Sequence, residues 1–299
     1  MIGRKFRKKS GVAFLKNNKK QILVIGDAIV DHYVIGSISR MSPEDATVPV
    51  IDVEEEYCRM GGCLNVAANI SSLGAYLVTA CSILTPFCKN ELIKRGMGYG
   101  GILVPEELGL IKTRIIDKAT SKQIVRADRN KVFSQKALEV YDRHSHTLYD
   151  LKHFEGVVIS DYCKGIIDEK TILSLKTYKG PVFVDTKKPD LAIWNDVPKC
   201  LIKINEKEWN ASSQKSTHPV IVTMGARGAQ LRDCSDWHAT VEFPIEAVSN
   251  PNSIGAGDTF LAGLVVKYVE TGDIGLSVTY AIKAATESVK KFGTVEVKL

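Results

Sequence analysis

Apolar positions along this chain fall into two alternating patterns. Short β-branched runs, "QILVIGD" (21–27), "YLVTACSIL" (76–84), "GVVIS" (156–160), "PVFVD" (181–185), "KCLIKI" (199–204) and "PVIVTMG" (219–225), read as buried strands. Between them, "NVAANISSLGA" (65–75), "SQKALEVYDRHSHTLYDL" (134–151) and "DEKTILSLKTY" (168–178) repeat their apolar residues at helical spacing, and two more helices close the chain. Strands separated by helices predict an α/β fold, a doubly wound and mostly parallel sheet covered on both faces. Two stretches break the alternation. Residues 32–60 are polar and β-rich, and residues 112–128 form a hairpin around "KATSK". Both are expected in a small β-sheet lid inserted into a single domain over 21–299, and the edge of such a lid is a natural homodimer surface.

Composition narrows the function classes. No apolar run approaches the ~20 residues that span a bilayer, and no signal-peptide core is visible, so a cytoplasmic protein without membrane contact is expected. The seven cysteines are scattered without a Cys-x-x-Cys pair and read as buried thiols rather than a metal or redox site. The net charge of +6 belongs to the tail over residues 1–20, which holds eight of the 40 Lys and Arg and none of the 34 acids. The body is near neutral, and nucleic acid is not an expected partner.

Glycine-rich stretches then separate by context. No Gly-Lys dipeptide exists, which excludes a P-loop. "GMGYGG" (96–101) matches Gly-x-Gly-x-x-Gly but follows a helical segment rather than a strand, and reads as a mobile turn. "NSIGAGDTF" (252–260) opens a helix whose Phe260, Leu261, Leu264, Val265, Tyr268 and Val269 share one face. Backbone amides of Gly255, Ala256, Gly257 and Asp258 at the positive end of that helix would form an anion site. A carboxylate there needs a reason. Phosphoryl transfer supplies one: Asp258 takes a proton from an attacking hydroxyl while the amides hold phosphoryl oxygens.

"GAGDTFLAG" resembles the signature of the ribokinase-type (PfkB) carbohydrate kinases, and other segments agree in order. "GDAIVDHY" (26–33) and "GGCLNVAANISSLGA" (61–75) resemble that family's sugar-binding motifs, "INEKE" (204–208) its Asn-x-x-Glu element, and "VTMGARGAQL" (222–231) its nucleotide loop. More narrowly, "SRMSPEDATVPVIDVEEE", "SDYCKGII" and "VFVDTKKPDL" are similar to family members that phosphorylate the anomeric hydroxyl of heptose 7-phosphate. The resemblance runs from about residue 21 to 299. It implies a ribokinase-like fold, ATP and Mg²⁺, and a sugar or sugar-phosphate acceptor. Other sugars (fructose 6-phosphate, ribose or a nucleoside) are alternatives, as is a non-catalytic sugar- or nucleotide-binding pseudokinase.

Residue by residue, the resemblance implies that Asp27, Asp31, Gly61, Gly62 and Asn65 meet sugar hydroxyls. Asp27 alone also reads as a turn cap. Asn205 and Glu208 would hold Mg²⁺ through water, although that pair also reads as an ordinary helix start. Thr223, Gly225 and Gly228 fall where ATP lies, and Asp161 and Asp185 follow strand ends, the first toward the substrate and the second toward the nucleotide. Lys164, Lys187, Arg114 and Arg126 are the candidate cations for an acceptor phosphate. Three departures alter the expectation. Asn252 stands where the family has an Asp that helps bind a monovalent cation, which predicts weak or absent potassium activation. Ile282 stands near an adenine-contacting Asn, and 84–111 is short compared with bacterial heptose kinases. No His-x-Gly-His occurs, so an accompanying nucleotidyltransferase domain is not expected.

Overall fold

The strand β1 (Gln21–Gly26) lies between β4 (Leu77–Leu84) and β8 (Gly156–Asp161) in the computed structural model, pairing with both in parallel. The structure describes residues 20–74, 76–145, 150–213, 215–232 and 240–299. The basic tail up to residue 19 and Cys234 lie outside them. The sheet continues from β8 through β9 (Val182–Thr186), β10 (Cys200–Asn205) and β11 (Val220–Thr223), all parallel. It ends in two antiparallel strands, β12 (Ala229–Arg232) and β13 (Thr240–Phe243). β13 has no counterpart in the sequence reading.

The other edge overturns an expectation. "GYGGIL" is a strand, β5 (Gly98–Leu103), paired in parallel with β4, and not a mobile turn. Its glycines permit a close approach to β4. A Cβ on Gly98 would sit 2.6 Å from Thr79 Oγ1, and one on Gly101, whose φ is +99°, would sit 2.0 Å from the Ser82 carbonyl oxygen. The glycines that suggest a turn are what the pairing needs.

Alternation along β1 sends its side chains into two cores. Ile22 and Val24 pack with α1 (Cys63–Leu73), α6 (Ala256–Thr271) and α7 (Ile274–Val289), and this cluster reaches α2 (Pro86–Lys94) through Cys88 and Leu92. Leu23 and Ile25 join Tyr141 of α3 (Gln135–Ser145), Ile172 of α4 (Glu169–Leu175) and Trp209 of α5 (Glu206–Ala211) on the opposite face. The sheet is thus doubly wound, as the run pattern implied.

A separate four-stranded sheet carries the two interrupting stretches. Its order is β3 (Pro49–Gly62), β2 (Ala28–Met41), β6 (Leu110–Asp117) and β7 (Lys122–Arg129). Asp31 opposes Arg59 and Lys112, Tyr33 opposes Tyr57 and Arg114, and Arg114 opposes Arg126. Residues two apart share a face, so Asp31, Tyr33, Arg59, Lys112 and Arg114 point the same way. The end of the chain ties this face to the body: Tyr33 Oη accepts from the Thr294 amide at 3.0 Å, and Arg59 donates to the Thr294 carbonyl at 2.7 Å.

Candidate active site

The parallel strands β1 and β8–β11 deliver their C-terminal ends to one rim, where open α/β sheets place ligands. Asp27 follows β1, Asp161 and Tyr162 lie at the end of β8, Asp185 lies in β9, Lys203 and Asn205 end β10, and Thr223 ends β11. The N-terminus of α6 faces the same rim. Gly255 precedes it in the left-handed region at φ +76°, and a Cβ there would stand 2.8 Å from Asn65 Nδ2. That close approach lets Asn65 reach Asp258. The Ala256 amide bonds the Ser253 carbonyl at 3.3 Å, so of the four amides expected to meet an anion this one is already engaged.

Asp258 is buried and doubly held. Oδ2 accepts from Asn65 Nδ2 at 3.0 Å and Oδ1 from the Tyr162 hydroxyl at 2.7 Å. Burial pushes its carboxyl above the usual carboxylate range, while those two bonds and the nearby Lys203 ammonium pull it back. Lys203 is itself buried and meets Asp185 Oδ2 at 2.7 Å. Burial pulls Lys203 down, but Asp185, Asp258 and Glu208 outweigh it and keep the ammonium charged. Burial likewise raises Asp185, against the attraction of Lys203.

Around this group lies a cleft of about 200 Å³, bounded by Tyr162, Lys187, Glu208, Gly257 and Asp258. Beside it is a second cavity of about 460 Å³ with apolar walls, among them Ile245, Val248, Phe260, Ile282 and Val289. Thr223, Gly225 and Gly228 line it too, and Lys203, Asn205, Ser253 and Gly257 belong to both cavities. A larger cavity of about 560 Å³ borders Tyr141, Thr171 and Tyr178 and touches none of these groups.

The remaining sequence candidates fall into different surroundings. Asp31 is buried and paired with Arg114 at 3.0 Å, and a Cβ on Gly61 would press on its Oδ2 at 2.2 Å. Gly62 caps α1. Asn205 and Glu208 form a reciprocal cap on α5, Asn205 Oδ1 accepting from the Glu208 amide and Glu208 Oε2 from the Asn205 amide, both at 2.9 Å. The other Glu208 oxygen meets Lys187 at 2.8 Å. Among the described residues no three His, Cys, Asp or Glu side chains gather as direct metal ligands. Arg126 is exposed on β7 and paired with Asp128 at 2.8 Å. Asp161 accepts from the Cys163 amide, Thr186 and Lys188. Asp27 is fully buried, and its Oδ2 accepts from the Tyr162 and Lys164 amides at 2.7 and 3.1 Å, so both residues brace the turn after β8. Cys58 and Cys163 are exposed rather than buried. Asn252 Oδ1 accepts from the Ile254 and Gly293 amides at 3.2 and 3.3 Å.

Three residues of this cluster escape a sequence reading. Lys203 is a lone charge inside the apolar run "KCLIKI", a signal in itself. Lys112 alternates with Arg114 in "IKTR", and burial lowers its ammonium below the usual range while Asp31 opposes the shift. Tyr162 follows a strand-end Asp.

A model described as "pfkB family carbohydrate kinase" matches residues 19–298. The chain belongs to that family. That family is one of carbohydrate kinases. "Bifunctional protein HldE" of a Nitratiruptor species is 30% identical over 94% of this chain and 64% of its own length. That of Campylobacter curvus is 31% identical over 92% of the chain and 63% of its own length, so this chain spans less than two thirds of those relatives. Among solved structures, Escherichia coli phosphofructokinase-2 in complex with potassium superposes with a TM-score of 0.69 at 16% identity, over 94% of this chain and 96% of its own. Arabidopsis thaliana ribokinase complexed with ribose and ATP gives 0.65 at 18% identity, over 93% and 96%. The fold is ribokinase-like. Among the described residues no helix is long and apolar enough to cross a membrane.

Proposed function

We propose that the chain transfers the γ-phosphoryl group of ATP to a hydroxyl of a sugar phosphate, the anomeric hydroxyl of heptose 7-phosphate. The observation that carries this reading is the position of Asp258, a buried carboxylate between a nucleotide-sized apolar cavity and a lid face rich in cations. The adenine lies in the 460 Å³ cavity against Ile282 and Phe260, with the phosphates along Thr223, Gly225 and Gly228. Asp258 accepts the proton of the attacking hydroxyl, and the Gly257 and Asp258 amides with Lys203 hold the γ-phosphoryl oxygens. Asn205 and Glu208, one amide oxygen and one carboxylate beside the cleft, would hold a mostly hydrated Mg²⁺ through water, and the ion would supply charge neutralisation on the phosphates.

The acceptor binds beneath the lid, its hydroxyls on Asp31 and Asn65. Its phosphate is met by Lys112 and Lys187, with Arg114 and Lys164 nearby, because a dianion leaving water needs charge-assisted bonds in return. Lid closure excludes water from the γ-phosphate. The intact Asp258 and the buried Lys203 beside it favour an enzyme over a pseudokinase, since burying both charges serves a scaffold nothing.

ADP release measured over heptose 7-phosphate, fructose 6-phosphate, ribose and unphosphorylated heptose tests the reading. Heptose 7-phosphate is expected to exceed ribose and unphosphorylated heptose in kcat/KM by roughly tenfold or more, the scale of one charge-assisted bond, and to exceed fructose 6-phosphate as well. A free sugar that performs better removes the sugar-phosphate assignment. Potassium plays no part in this scheme. The neutral Asn252 amide already serves two backbone donors, so replacing sodium with potassium is expected to change the rate by less than about twofold, against the tenfold or more that losing a charged ligand's partner ordinarily costs. A saturable rise of several-fold counts against that expectation.

A further inference from the structure

Tyr162 occupies the place on Asp258 that an acceptor hydroxyl needs. Its hydroxyl donates to Oδ1 at 2.7 Å, while Asn65 holds Oδ2, so both oxygens of the carboxylate are engaged before any sugar arrives. Burial, then the charge of Asp258, pushes the phenol well above its usual range, so this hydroxyl keeps its proton. The main chain beneath it is fixed by the bond from the Tyr162 amide to Asp27 Oδ2 at 2.7 Å. The side chain, by contrast, is held by groups that an anionic acceptor would engage. Lys112 Nζ from the lid lies 4.9 Å from the ring centroid, and Lys187 Nζ from the loop after β9 lies 5.0 Å from it. Lys187 also reaches Glu208 at 2.8 Å.

We infer that Tyr162 is an acceptor-displaced cover on the base: a sugar phosphate draws Lys112 and Lys187 off the ring, the phenol leaves Oδ1, and the acceptor hydroxyl takes its place. The inference rests on Asp258 being the base. Without acceptor the cover prevents a water from donating to Oδ1 and attacking the γ-phosphorus. In that wasteful reaction the water oxygen bonds to phosphorus, the bond to the ADP oxygen breaks, and the water proton passes to Asp258. Tyr162 thereby links acceptor recognition at the lid to exposure of the base, a coupling that a plain hydrogen-bond partner would not provide.

The test needs no knowledge of the sugar. Phosphate release from Mg·ATP is measured for the full chain with no acceptor, in wild type and Tyr162→Phe. The phenyl ring keeps the volume and both ammonium contacts while removing the hydroxyl. Hydrolysis is expected to rise at least about tenfold, the scale of one hydrogen bond to a charged group. Its acidic limb should also move to higher pH, because losing a donor to the ionised carboxylate raises that group's pKa. Lys112→Met keeps the hydroxyl but loosens the ring, and a rise of roughly twofold to fivefold is expected, as one cation–π contact is worth less. Rates within twofold of wild type in Tyr162→Phe overturn the cover while leaving the kinase reading intact. If Tyr162→Phe with Asp258→Asn hydrolyses as fast as Tyr162→Phe alone, the water is not activated by Asp258, and the reading of the base falls with the cover.

Discussion

Replacing Asp258 with Asn is expected to lower kcat by about 10²–10⁴, the scale of losing a positioned general base. The amide has the same size, and its oxygen still accepts from Asn65, so the α6 N-terminus keeps its geometry. A buried charge also disappears, and burial already strains that charge. Thermal stability should therefore hold or rise, and the KM for ATP should stay within about threefold, because the proposed mechanism gives the γ-phosphate to amides and Lys203 rather than to the carboxylate. Steady-state kinetics with a calorimetric melt separate the outcomes. A kcat within a few-fold of wild type leaves Asp258 without the role given to it. A collapsed melt would instead make its bonds to Asn65 and Tyr162 structural.

Asp27→Asn is expected to act on stability, with an effect that develops as pH rises from about 4 to about 6. Burial, and then repulsion from Asp161, pushes the Asp27 carboxyl up to about 6 from 3.8, despite the amides of Lys164 and Tyr162 that favour the charged form. Between those two values the folded state binds more protons than the unfolded one. Wild-type stability therefore falls as pH rises through the window, and the full cost is present above about pH 6. A shift of that size corresponds to about 3 kcal/mol. Asn cannot ionise, and its oxygen still serves both amides. The stability of Asp27→Asn relative to wild type should grow by up to about 3 kcal/mol from pH 4 to pH 7, read as urea midpoints at each pH. A difference that stays flat with pH means Asp27 does not titrate there. Contributions independent of pH cancel from the comparison.

What the chain disclosed beforehand depended on how local each signal was. "NSIGAGDTF" announces its helix, its turn and its acid within nine residues, because a helix N-terminus is a local object. The parallel sheet was legible for the same reason, each buried run carrying its own periodicity. "GYGGIL" misled because its glycines answer to Thr79 and Ser82 on a neighbouring strand, and no window of sequence contains that strand. Asp27 illustrates the same limit. Its spacing from Asp31 suggests two sugar ligands, and only the fold reveals that one of its oxygens accepts from amides more than 130 positions away. Lys112, Tyr162 and Asp258 come from three distant segments, and only folding makes them neighbours. Lys203 also went unread: its oddity, a charge inside an apolar strand, is visible in the sequence, but its partner Asp185 appears only in the fold.

The shared wall between the two cavities bears on inhibitor design. Lys203, Asn205, Ser253 and Gly257 face both spaces, so one molecule carrying an adenosine end and a sugar-phosphate end would need only a short bridge. Once one end is seated, the other is confined near its pocket at an effective concentration on the order of millimolar. Such a ligand gains avidity without any new contact. It also gains selectivity, because the apolar cavity proposed for the nucleotide and the cation-rich lid must both match, and enzymes that share only one of them would hold only half of it.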